Sequence, residues 1–439
     1  MGGRKGRGGK AKKNSPGYKD TSPNQITLKK IPLNLLATNN NGSLLAFAMN
    51  NLLYVLALES KQFLTIDATQ QHQLILSSIE FQKDNTLITT SHDRHIKIWE
   101  INNELTSIKL VKSFNTNKKI IYTALSDKDE ILVADKCGDV LQYSLVDDSK
   151  NHIVDLTVNK QSKQDLREQD KNLILGHYSS ITDIRFSRDF KYLLTSDRDE
   201  KIRVSNYPNA YDIEVFCLAS EKYVTKLLMP LNKPSLMISG SGDGHLYLWN
   251  WLEGKVLQKL DLNSLSKDAT VIPQHYNSNT NLLAVSIENF NIIQFYQLSE
   301  NQLTLSQSLT LPVGSQPISI DLVGKDQYLV SLVTMETTDP FVLSINTTNW
   351  QVETDSAIVQ LINNLSIPTF TDSTIFKTYL HTIEKKQYRK YISGTDERKQ
   401  RKDGDDKMVE DDLIEDDDIE EDLDPENRPS KQIKLDTNI

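Results

Sequence analysis

The chain has 439 residues, a net charge of −9 and 38% hydrophobic residues, which is enough apolar material to bury a sizeable core. Its two cysteines, Cys137 and Cys217, are far apart and in no metal-ligand spacing, so we expect neither a disulfide framework nor a zinc site. No apolar run reaches the roughly 18 residues that a membrane helix needs, and the N-terminus has no signal-peptide core. These features favour a globular protein of a reducing compartment.

The two ends of the chain carry opposite charge. The first 13 residues contain six Lys or Arg and no acid, whereas residues 403–426 contain fifteen acids and one lysine. Such blocks cannot bury enough apolar surface to offset the entropy lost on ordering, so we predict disordered tails at 1–24 and 403–439. Solubilising the chain is the simplest role for both. The basic N-terminus also suits RNA contact or a nuclear address, and we expect the protein in the nucleus.

Between these ends, a pattern of short apolar strands and tight turns repeats along the chain. The clearest copies are LITTSHDRHIKIWE, LLTSDRDEKIRVSN and LMISGSGDGHLYLWN. Each carries an Asp in its turn before an alternating strand, namely Asp93, Asp199 and Asp243. The pattern resembles the WD-repeat family of β-propellers, in which each repeat supplies four strands.

The spacing of the copies predicts the number of blades. Seven copies align on one position of the strand after the turn: Leu56, Trp99, Tyr143, Ser205, Trp249, Phe295 and Ser344. Five of the six spacings are 43 to 49 residues, near the ~40–45 residue period of a propeller blade. We therefore predict an all-β, seven-bladed propeller over 25–362, closed with the help of 25–31 and an outer strand at 352–359. The remaining spacing, 62 residues, contains a charged insertion at about 147–171, expected as a surface loop between blades three and four.

The fourth copy indicates how a blade is held together. In the WD-repeat family, a His, a Ser or Thr, the turn Asp and the strand Trp form a hydrogen-bonded chain. His177, Thr195 or Ser196, and Asp199 match these positions, and Ser205 replaces the Trp. We expect His177 to be a structural clamp, because no positioned nucleophile accompanies it. The incomplete polar chain predicts a less rigid blade.

No short motif of a common enzyme class occurs in the sequence. A phosphate loop ending in Gly-Lys-Ser/Thr, HExxH, Gly-x-Ser-x-Gly and Cys-x-x-Cys are all missing. The string SGSGDGH at 239–245 has glycines spaced as in a nucleotide or methyl-donor loop, but an alternating strand follows it where such a loop would open a helix. We interpret it as a blade turn. The sequence therefore favours a protein that serves as a binding platform. A hydrolase built on the propeller fold stays open as an alternative.

Residues 196–208, SDRDEKIRVSNYP, concentrate charge in one hairpin. A charge run is commonly a solvated face, but the wider string DRDEKIRVSNYPNAYDIEVFCL favours an interaction surface. It resembles the fourth blade of the family of WD-repeat, non-catalytic subunits of eukaryotic tRNA (guanine-N7-)-methyltransferase. SGSGDGHLYLWNWLEGK at 239–255 is similar to the next blade of that family, whereas ASEKYV at 219–224 departs from its usual Gly-His pair. The specific resemblance covers about 176–256.

This resemblance implies a propeller without catalytic residues or a cofactor of its own. It implies a heterodimer with a catalytic subunit that binds S-adenosylmethionine and methylates N7 of a guanine in the tRNA variable loop. The propeller would bind, stabilise and activate that subunit through the charged strand of blade four. The expected partner-binding residues are Arg203, Lys201, Arg198 and Glu200. Arg203 leads, since we expect its head group to be exposed and an Arg can bind a carboxylate through two hydrogen bonds.

A basic segment at 363–402 follows the propeller. Its residues 377–402 contain nine Lys or Arg and three acids, and we predict a short helix there with Lys385, Lys386, Arg389 and Lys390 on one face. Two roles stay open: a helix that caps the propeller or its partner, and a patch that faces tRNA phosphates. A different class of function also stays open, namely a general nuclear WD-repeat scaffold in chromatin or ribosome assembly.

Overall fold

The computed structural model describes residues 33–151, 171–265, 269–288, 290–334 and 341–365. These residues form 28 strands arranged in seven four-stranded antiparallel sheets, each made of four strands consecutive in the chain. The predicted seven-bladed, all-β propeller is confirmed. The predictions for both tails, for 25–31 and for a helix within 377–402 lie outside the described residues.

The strands of each blade run from the centre of the ring to its rim in chain order. Blades one to three contain β1 Leu35–Thr38, β2 Leu44–Met49, β3 Leu52–Ala57, β4 Gln62–Phe63; β5 Leu76–Lys83, β6 Thr86–Ser91, β7 His95–Ile101, β8 Ile108–Asn115; and β9 Ile120–Leu125, β10 Glu130–Asp135, β11 Asp139–Ser144, β12 Leu173–Gly176. Blades four and five contain β13 Ile181–Phe186, β14 Tyr192–Asp197, β15 Ile202–Asn206, β16 Ile213–Cys217; and β17 Val224–Leu228, β18 Leu236–Ser241, β19 His245–Asn250, β20 Lys255–Asp261. Blades six and seven contain β21 Val271–Asn277, β22 Leu282–Ile287, β23 Ile292–Ser299, β24 Gln302–Thr310; and β25 Ser315–Val323, β26 Gln327–Thr334, β27 Val342–Asn346, β28 Gln351–Glu353.

The first strands of neighbouring blades contact one another around the whole ring, including β25 of blade seven with β1 of blade one. Polar side chains link blades across this inner circle. Thr38 Oγ1 donates to Asp321 Oδ2 at 3.2 Å, and the other carboxylate oxygen of Asp321 lies 2.9 Å from His275 Nδ1. The ring is therefore closed at its centre by contacts between blades six, seven and one.

The rim of the closing seam differs from the prediction. The outer strand β28 ends at Glu353, and residues within the predicted strand 352–359 instead begin the helix α1, Ala357–Asn363. Ser356 caps this helix by accepting the N–H of Val359 at 3.4 Å. The predicted strand was wrong because residues 357–363 place apolar side chains at helical spacing, and Val359 and Ile362 are fully buried between blades one and seven.

The charged insertion also differs from its predicted place. It lies inside blade three, because β11 before it pairs with β12 after it, so the expected position between blades three and four was wrong. A 3-10 helix at Asp148–Lys150 begins the insertion, and residues 152–170 are outside the described ranges. A second 3-10 helix spans Ala68–Gln70. No helix in the described part of the chain is long and apolar enough to cross a membrane.

Candidate partner-binding surface on blade four

The charged hairpin of blade four is fixed by one buried carboxylate. Asp197, at the end of β14, accepts the backbone N–H groups of Asp199 at 2.9 Å and Lys201 at 3.2 Å through Oδ1. Its backbone N–H donates to the carbonyl of Lys201 at 3.1 Å, and the N–H of Arg198 donates to the Ser180 carbonyl at 3.1 Å. The turn therefore has a defined conformation that does not depend on its exposed charged side chains.

The clamp of blade four uses His177 as expected but a different aspartate. His177 Nδ1 lies 2.9 Å from Asp197 Oδ2, and Nε2 lies 2.8 Å from Thr195 Oγ1, with all three side chains buried. The expectation that Asp199 completes this chain was wrong, because the side chain of Asp199 is exposed in the turn. The sequence contained a signal that was missed, since Asp197 is a second acid at the end of the preceding strand.

Blade two has the complete chain that blade four lacks. Trp99 Nε1 donates to Thr89 Oγ1 at 2.8 Å, His72 Nε2 lies 2.9 Å from the same oxygen, and His72 Nδ1 lies 3.0 Å from Asp93 Oδ2. Asp93 thus has the structural role predicted for it. Burial lowers the pKa of His72 by more than the neighbouring Asp93 raises it. The lowered pKa favours a neutral ring that bridges the hydroxyl and the carboxylate.

Arg203, the leading candidate for partner contact, is buried within the blade. Its Nε donates to Ser205 Oγ at 2.9 Å, Nη1 to the Gly176 carbonyl at 3.3 Å and Nη2 to the Ala210 carbonyl at 2.7 Å. Burial lowers the pKa of this guanidinium. The expected exposure of the Arg203 head group was wrong, because the guanidinium joins β15 of blade four to the end of β12 in blade three and to the β15–β16 connection.

The serine that replaces the family tryptophan therefore has a partner. Ser205 is fully buried and accepts a hydrogen bond from Arg203 Nε. The expectation of a less rigid blade rested on the incomplete chain that the missing Trp leaves, and it stays a prediction.

The other candidates of the hairpin do reach solvent together. Arg198, Glu200 and Lys201 are exposed next to Asp199, and Glu200 has a left-handed φ of 73°. The structure thus brings three of the four predicted partner-binding residues into one rigid turn. Lys385, Lys386, Arg389 and Lys390 lie outside the described residues.

An apolar strip lies beside this turn, along the outer strand of blade four. Ile202 of β15 pairs with Cys217 of the antiparallel strand β16. Lys201, just before Ile202, and Leu218, just after Cys217, therefore lie side by side at the same end of the hairpin. The strip has five exposed apolar side chains: Tyr211, Ile213, Phe216, Leu218 and Leu252. Monomeric proteins rarely group exposed apolar residues in this way unless the patch binds something. The sequence signal is IEVFCL, in which apolar residues follow one another without polar residues between them, so alternation does not indicate which of them are exposed.

Blade five contributes Leu252 to the strip through a close turn. Gly254 has a φ of +63°, and a Cβ at this position would lie 2.9 Å from the Phe216 carbonyl oxygen. Cys217 Sγ also contacts the Trp251 carbonyl at 3.5 Å. The β19–β20 turn therefore packs directly on β16 and makes blades four and five one continuous surface.

Blade five, which lacks the family Gly-His pair, holds its turn aspartate through other donors. Asp243 Oδ2 accepts the Tyr247 hydroxyl at 2.8 Å and the Glu221 N–H at 2.8 Å, and Oδ1 lies 3.0 Å from His245 Nδ1. Burial alone would raise the pKa of Asp243, but these hydrogen bonds outweigh it and lower the pKa. Trp249 Nε1 donates to Ser239 Oγ at 2.9 Å. Asp243 therefore has the predicted structural role, with Tyr247 as an unpredicted partner.

Comparison with known proteins shows the family to which the chain belongs. The chain is 43% identical over 377 residues to the tRNA (guanine-N(7)-)-methyltransferase non-catalytic subunit wdr4 of Dictyostelium discoideum, covering 83% of this chain and 80% of that protein. The chain belongs to this family of non-catalytic subunits. It is also 31% identical over 204 residues to the tRNA (guanine-N(7)-)-methyltransferase non-catalytic subunit wdr4 of Danio rerio, covering 44% of this chain and 45% of that protein. The prediction of a non-catalytic subunit rather than an enzyme is confirmed.

Two further comparisons concern parts of the chain and the fold. The family model described as the tRNA methyltransferase TRM82 WD40 domain matches residues 148–357, and the general WD40 repeat model matches 64–100. A chain in a crystal structure of the mitotic checkpoint complex superposes with a TM-score of 0.54 at 13% identity, covering 75% of this chain and 95% of that one. At this identity the likeness concerns the propeller fold alone.

Proposed function

We propose that this chain binds the catalytic, S-adenosylmethionine-dependent subunit that forms N7-methylguanosine in the tRNA variable loop, and that it stabilises and activates that subunit. The observation that carries the proposal is the 43% identity to a named non-catalytic subunit along 80% of its length. The propeller supplies no chemistry in this proposal. S-adenosylmethionine is bound by the partner, and the chain acts through a heterodimer.

The partner contact is the combined surface of the charged turn and the apolar strip. Interfaces of this kind have an apolar centre that supplies most of the binding energy and a charged rim that selects the partner. Phe216 and Leu218 supply the apolar centre, and Arg198, Glu200 and Lys201 supply the rim. Because Asp197 already fixes the turn, little ordering entropy is lost when a partner binds.

Arg203 enters this proposal as a residue that positions the surface. Its guanidinium connects the β15 strand to the carbonyl of Ala210, one residue before the exposed Tyr211. A change at Arg203 would therefore weaken partner binding by disturbing the strip. A charge reversal at Arg203 alone does not distinguish an interface residue from a structural one.

Co-purification of the two subunits tests the proposal. The tagged chain is co-expressed with its catalytic partner, and Leu218→Asp and Lys201→Glu variants are compared with wild type for stoichiometry at moderate salt. Each variant is expected to lower the amount of partner that is recovered. Leu218→Asp places a charge in the apolar centre of the contact, and Lys201→Glu reverses the charge at its rim. The matched control is Leu305→Asp, since Leu305 is similarly exposed on the outer strand β24 of blade six.

Two outcomes would contradict the proposal. Partner recovery unchanged in both test variants would move the contact away from blade four. Wild-type chain that recovers several large assemblies in place of one methyltransferase would indicate a general scaffold. N7-methylguanosine in bulk tRNA from cells that lack the chain then tests the pathway, and fluorescent tagging of the chain tests the proposed nuclear location.

A further inference from the structure

The central channel, which the first strands of the blades enclose, contains a lysine without an acidic partner. Lys226 lies on β17, the first strand of blade five, and is partly exposed. Its ammonium donates to the backbone carbonyl of Gln274 on β21 of blade six at 3.0 Å. Among the described residues, no carboxylate oxygen lies within 4.0 Å of Lys226 Nζ. An ammonium has three donors, so most of the hydrogen-bonding capacity of this group is left for water or a ligand.

Charged groups of blades four and seven act on Lys226 and show that its side chain is in the channel. Arg185 and Asp183 lie on β13 of blade four, and Asp321 lies on β25 of blade seven. Side chains of blades four, five and seven can meet only at the centre of the ring. Burial first, and then the charge of Arg185, lower the pKa of Lys226 to about 8, against the opposing effects of the two aspartates.

Both of these aspartates are held by other groups. Asp183 Oδ2 accepts the Leu227 N–H at 2.8 Å and lies 3.3 Å from Arg185 Nε, and Asp183 Oδ1 lies 3.3 Å from Arg185 Nη2. The two carboxylate oxygens of Asp321 contact side chains of blades one and six, as described above. Lys226 is therefore a cation of the channel that neighbouring acids do not neutralise by direct contact.

Arg185 keeps one donor nitrogen for a second anion. Nε and Nη2 contact Asp183, whereas Nη1 has no hydrogen-bond partner in the described part of the chain. The Arg185 side chain is 38% exposed although it lies at the centre of the ring, so water and other small molecules reach this point. A small anion carried by Lys226 would therefore lie in the field of a guanidinium that has a donor to spare.

We propose that Lys226 binds carbon dioxide as a carbamate. The lone pair of the neutral amine attacks the carbon of CO2, and a new N–C bond forms. One C–O π bond opens to give an anionic oxygen, and the nitrogen releases one proton to the buffer through the channel. Burial and the neighbouring Arg185 favour the neutral, nucleophilic amine. The product replaces a cation next to Arg185 by an anion, which turns repulsion into a charge-assisted contact between blades four and five.

Trapping of the carbamate on the intact, full-length chain tests the proposal. The chain is equilibrated at pH 8 with 13C-labelled carbon dioxide, carbamates are ethylated with triethyloxonium, and the labelled lysines are located by mass spectrometry of peptides. We expect label at Lys226, because about half of its amines are neutral at this pH, about 100-fold more than for an ordinary lysine. The dipeptide Gly-Gly in the same tube shows that the trapping works, since its α-amino group is also partly neutral at this pH.

Lys97 is a matched control within the chain. It is buried like Lys226, but its ammonium donates to the carbonyls of Gln70 at 2.8 Å and Gln71 at 3.0 Å. Burial lowers the pKa of Lys97 as well, whereas the charge that acts on it is the carboxylate of Asp93, which favours the ammonium. We therefore expect no label at Lys97.

Two variants test the part played by the neighbouring arginine and the assignment of the label. Arg185→Met is expected to lower the labelled fraction at Lys226 about 10-fold or more, as for the loss of a charge-assisted hydrogen bond. Lys226→Arg keeps the charge and is expected to lose the label entirely. Urea unfolding shows whether each variant is folded, and the wild-type measurement depends on neither.

Three outcomes would overturn the proposal. The first is label on Gly-Gly without label at Lys226. The second is equal label at Lys226 and Lys97, because burial alone would then account for the reactivity. The third is unchanged label in a folded Arg185→Met chain, because the carbamate would then have no guanidinium partner. None of these measurements involves the catalytic subunit, so the inference stands or falls independently of the proposed function.

Discussion

Arg203 Nε and Ser205 Oγ, two residues apart on β15, are joined by a 2.9 Å hydrogen bond inside blade four. In blade two the residue equivalent to Ser205 is Trp99, whose ring completes the polar chain of the clamp. Arg203 itself stands where blade two has Lys97, since each of the two pairs with the Thr of its clamp. Like Lys97, it donates to backbone carbonyls, here those of Gly176 and Ala210. Arg203 thus ties Ser205 and two backbone segments together beneath the proposed partner-binding surface.

Removing this arginine should destabilise the chain. Arg203→Met keeps the bulk of the side chain but leaves two carbonyl oxygens and the Ser205 hydroxyl without their donor, for an expected loss of about 1–3 kcal/mol in the free energy of unfolding. Ser205→Ala should cost less, because the other two bonds remain. Urea unfolding of the isolated chain measures both. Unchanged stability of Arg203→Met with lost partner binding would return Arg203 to the interface.

The two aspartates of the hairpin should differ sharply in their effect on stability. Asp197→Ala removes the partner of His177 and the acceptor of two turn N–H groups, so we expect a loss of about 1–3 kcal/mol. Asp199→Ala alters an exposed side chain and should stay within about 0.5 kcal/mol of wild type. Thermal unfolding of the two single variants measures the contrast. Equal losses would show that Asp199 shares the clamp.

The Tyr247 hydroxyl is one of the groups that hold the turn aspartate of blade five. Tyr247→Phe removes the hydroxyl that lies 2.8 Å from Asp243 Oδ2 and 3.1 Å from the Ala219 carbonyl oxygen, so the buried carboxylate loses a hydrogen bond. We expect a loss of about 1–3 kcal/mol in unfolding free energy. The matched control is Tyr211→Phe on the exposed strip, which should be neutral. If both variants have the same free energy of unfolding as wild type, the Glu221 N–H and His245 suffice to hold Asp243.

His92 should make the chain sensitive to acid. Burial first, and then the charge of Lys119, lower its pKa in the folded state from 6.5 to about 3. Above pH 6.5 the ring is neutral in both states and contributes nothing. Below that pH the unfolded chain takes up a proton that the folded chain does not, so stability falls by up to about 1.4 kcal/mol per pH unit. Urea unfolding of His92→Gln between pH 7 and 5 should show a shallower fall than wild type, and Lys119→Gln an intermediate one. Parallel profiles would contradict this prediction.

How far the sequence predicts this molecule depends on what covers each residue. The repeat spacing predicts seven blades because every blade reuses the same strand and turn pattern. Alternation along β15 correctly placed Ile202 and Val204 inside, but it could not predict that Arg203 is buried. In a propeller the neighbouring blades cover both faces of each sheet. The alternation of side chains along a strand therefore does not by itself show which of them are exposed. Asp197 and Asp199 were likewise indistinguishable, since the choice depends on where the His177 ring lies.

The helix α1 should hold the closing seam of the ring. Val359 and Ile362 are fully buried in one cluster with Leu45 and Phe47 of blade one and Phe341 and Val342 of blade seven. In addition, Asn363 Oδ1 accepts the N–H groups of Phe341 at 3.2 Å and Val342 at 3.1 Å, and Nδ2 donates to the Val342 carbonyl at 2.8 Å. Side chains of the helix thus join the third strand of the last blade to the first blade.

Truncating Ile362 therefore tests whether the helix stabilises the closed ring. Ile362→Ala should lower the unfolding free energy by about 2–5 kcal/mol, the range for a fully buried aliphatic side chain. Gln360→Ala is the control, because Gln360 is exposed on the same short helix. Limited proteolysis should then cut the Ile362→Ala chain faster near β1 and β27, while blades three to five stay protected. A stability loss without any local increase in cleavage would mean that the seven blades unfold as one unit, and that α1 adds to the core without acting as a separate latch.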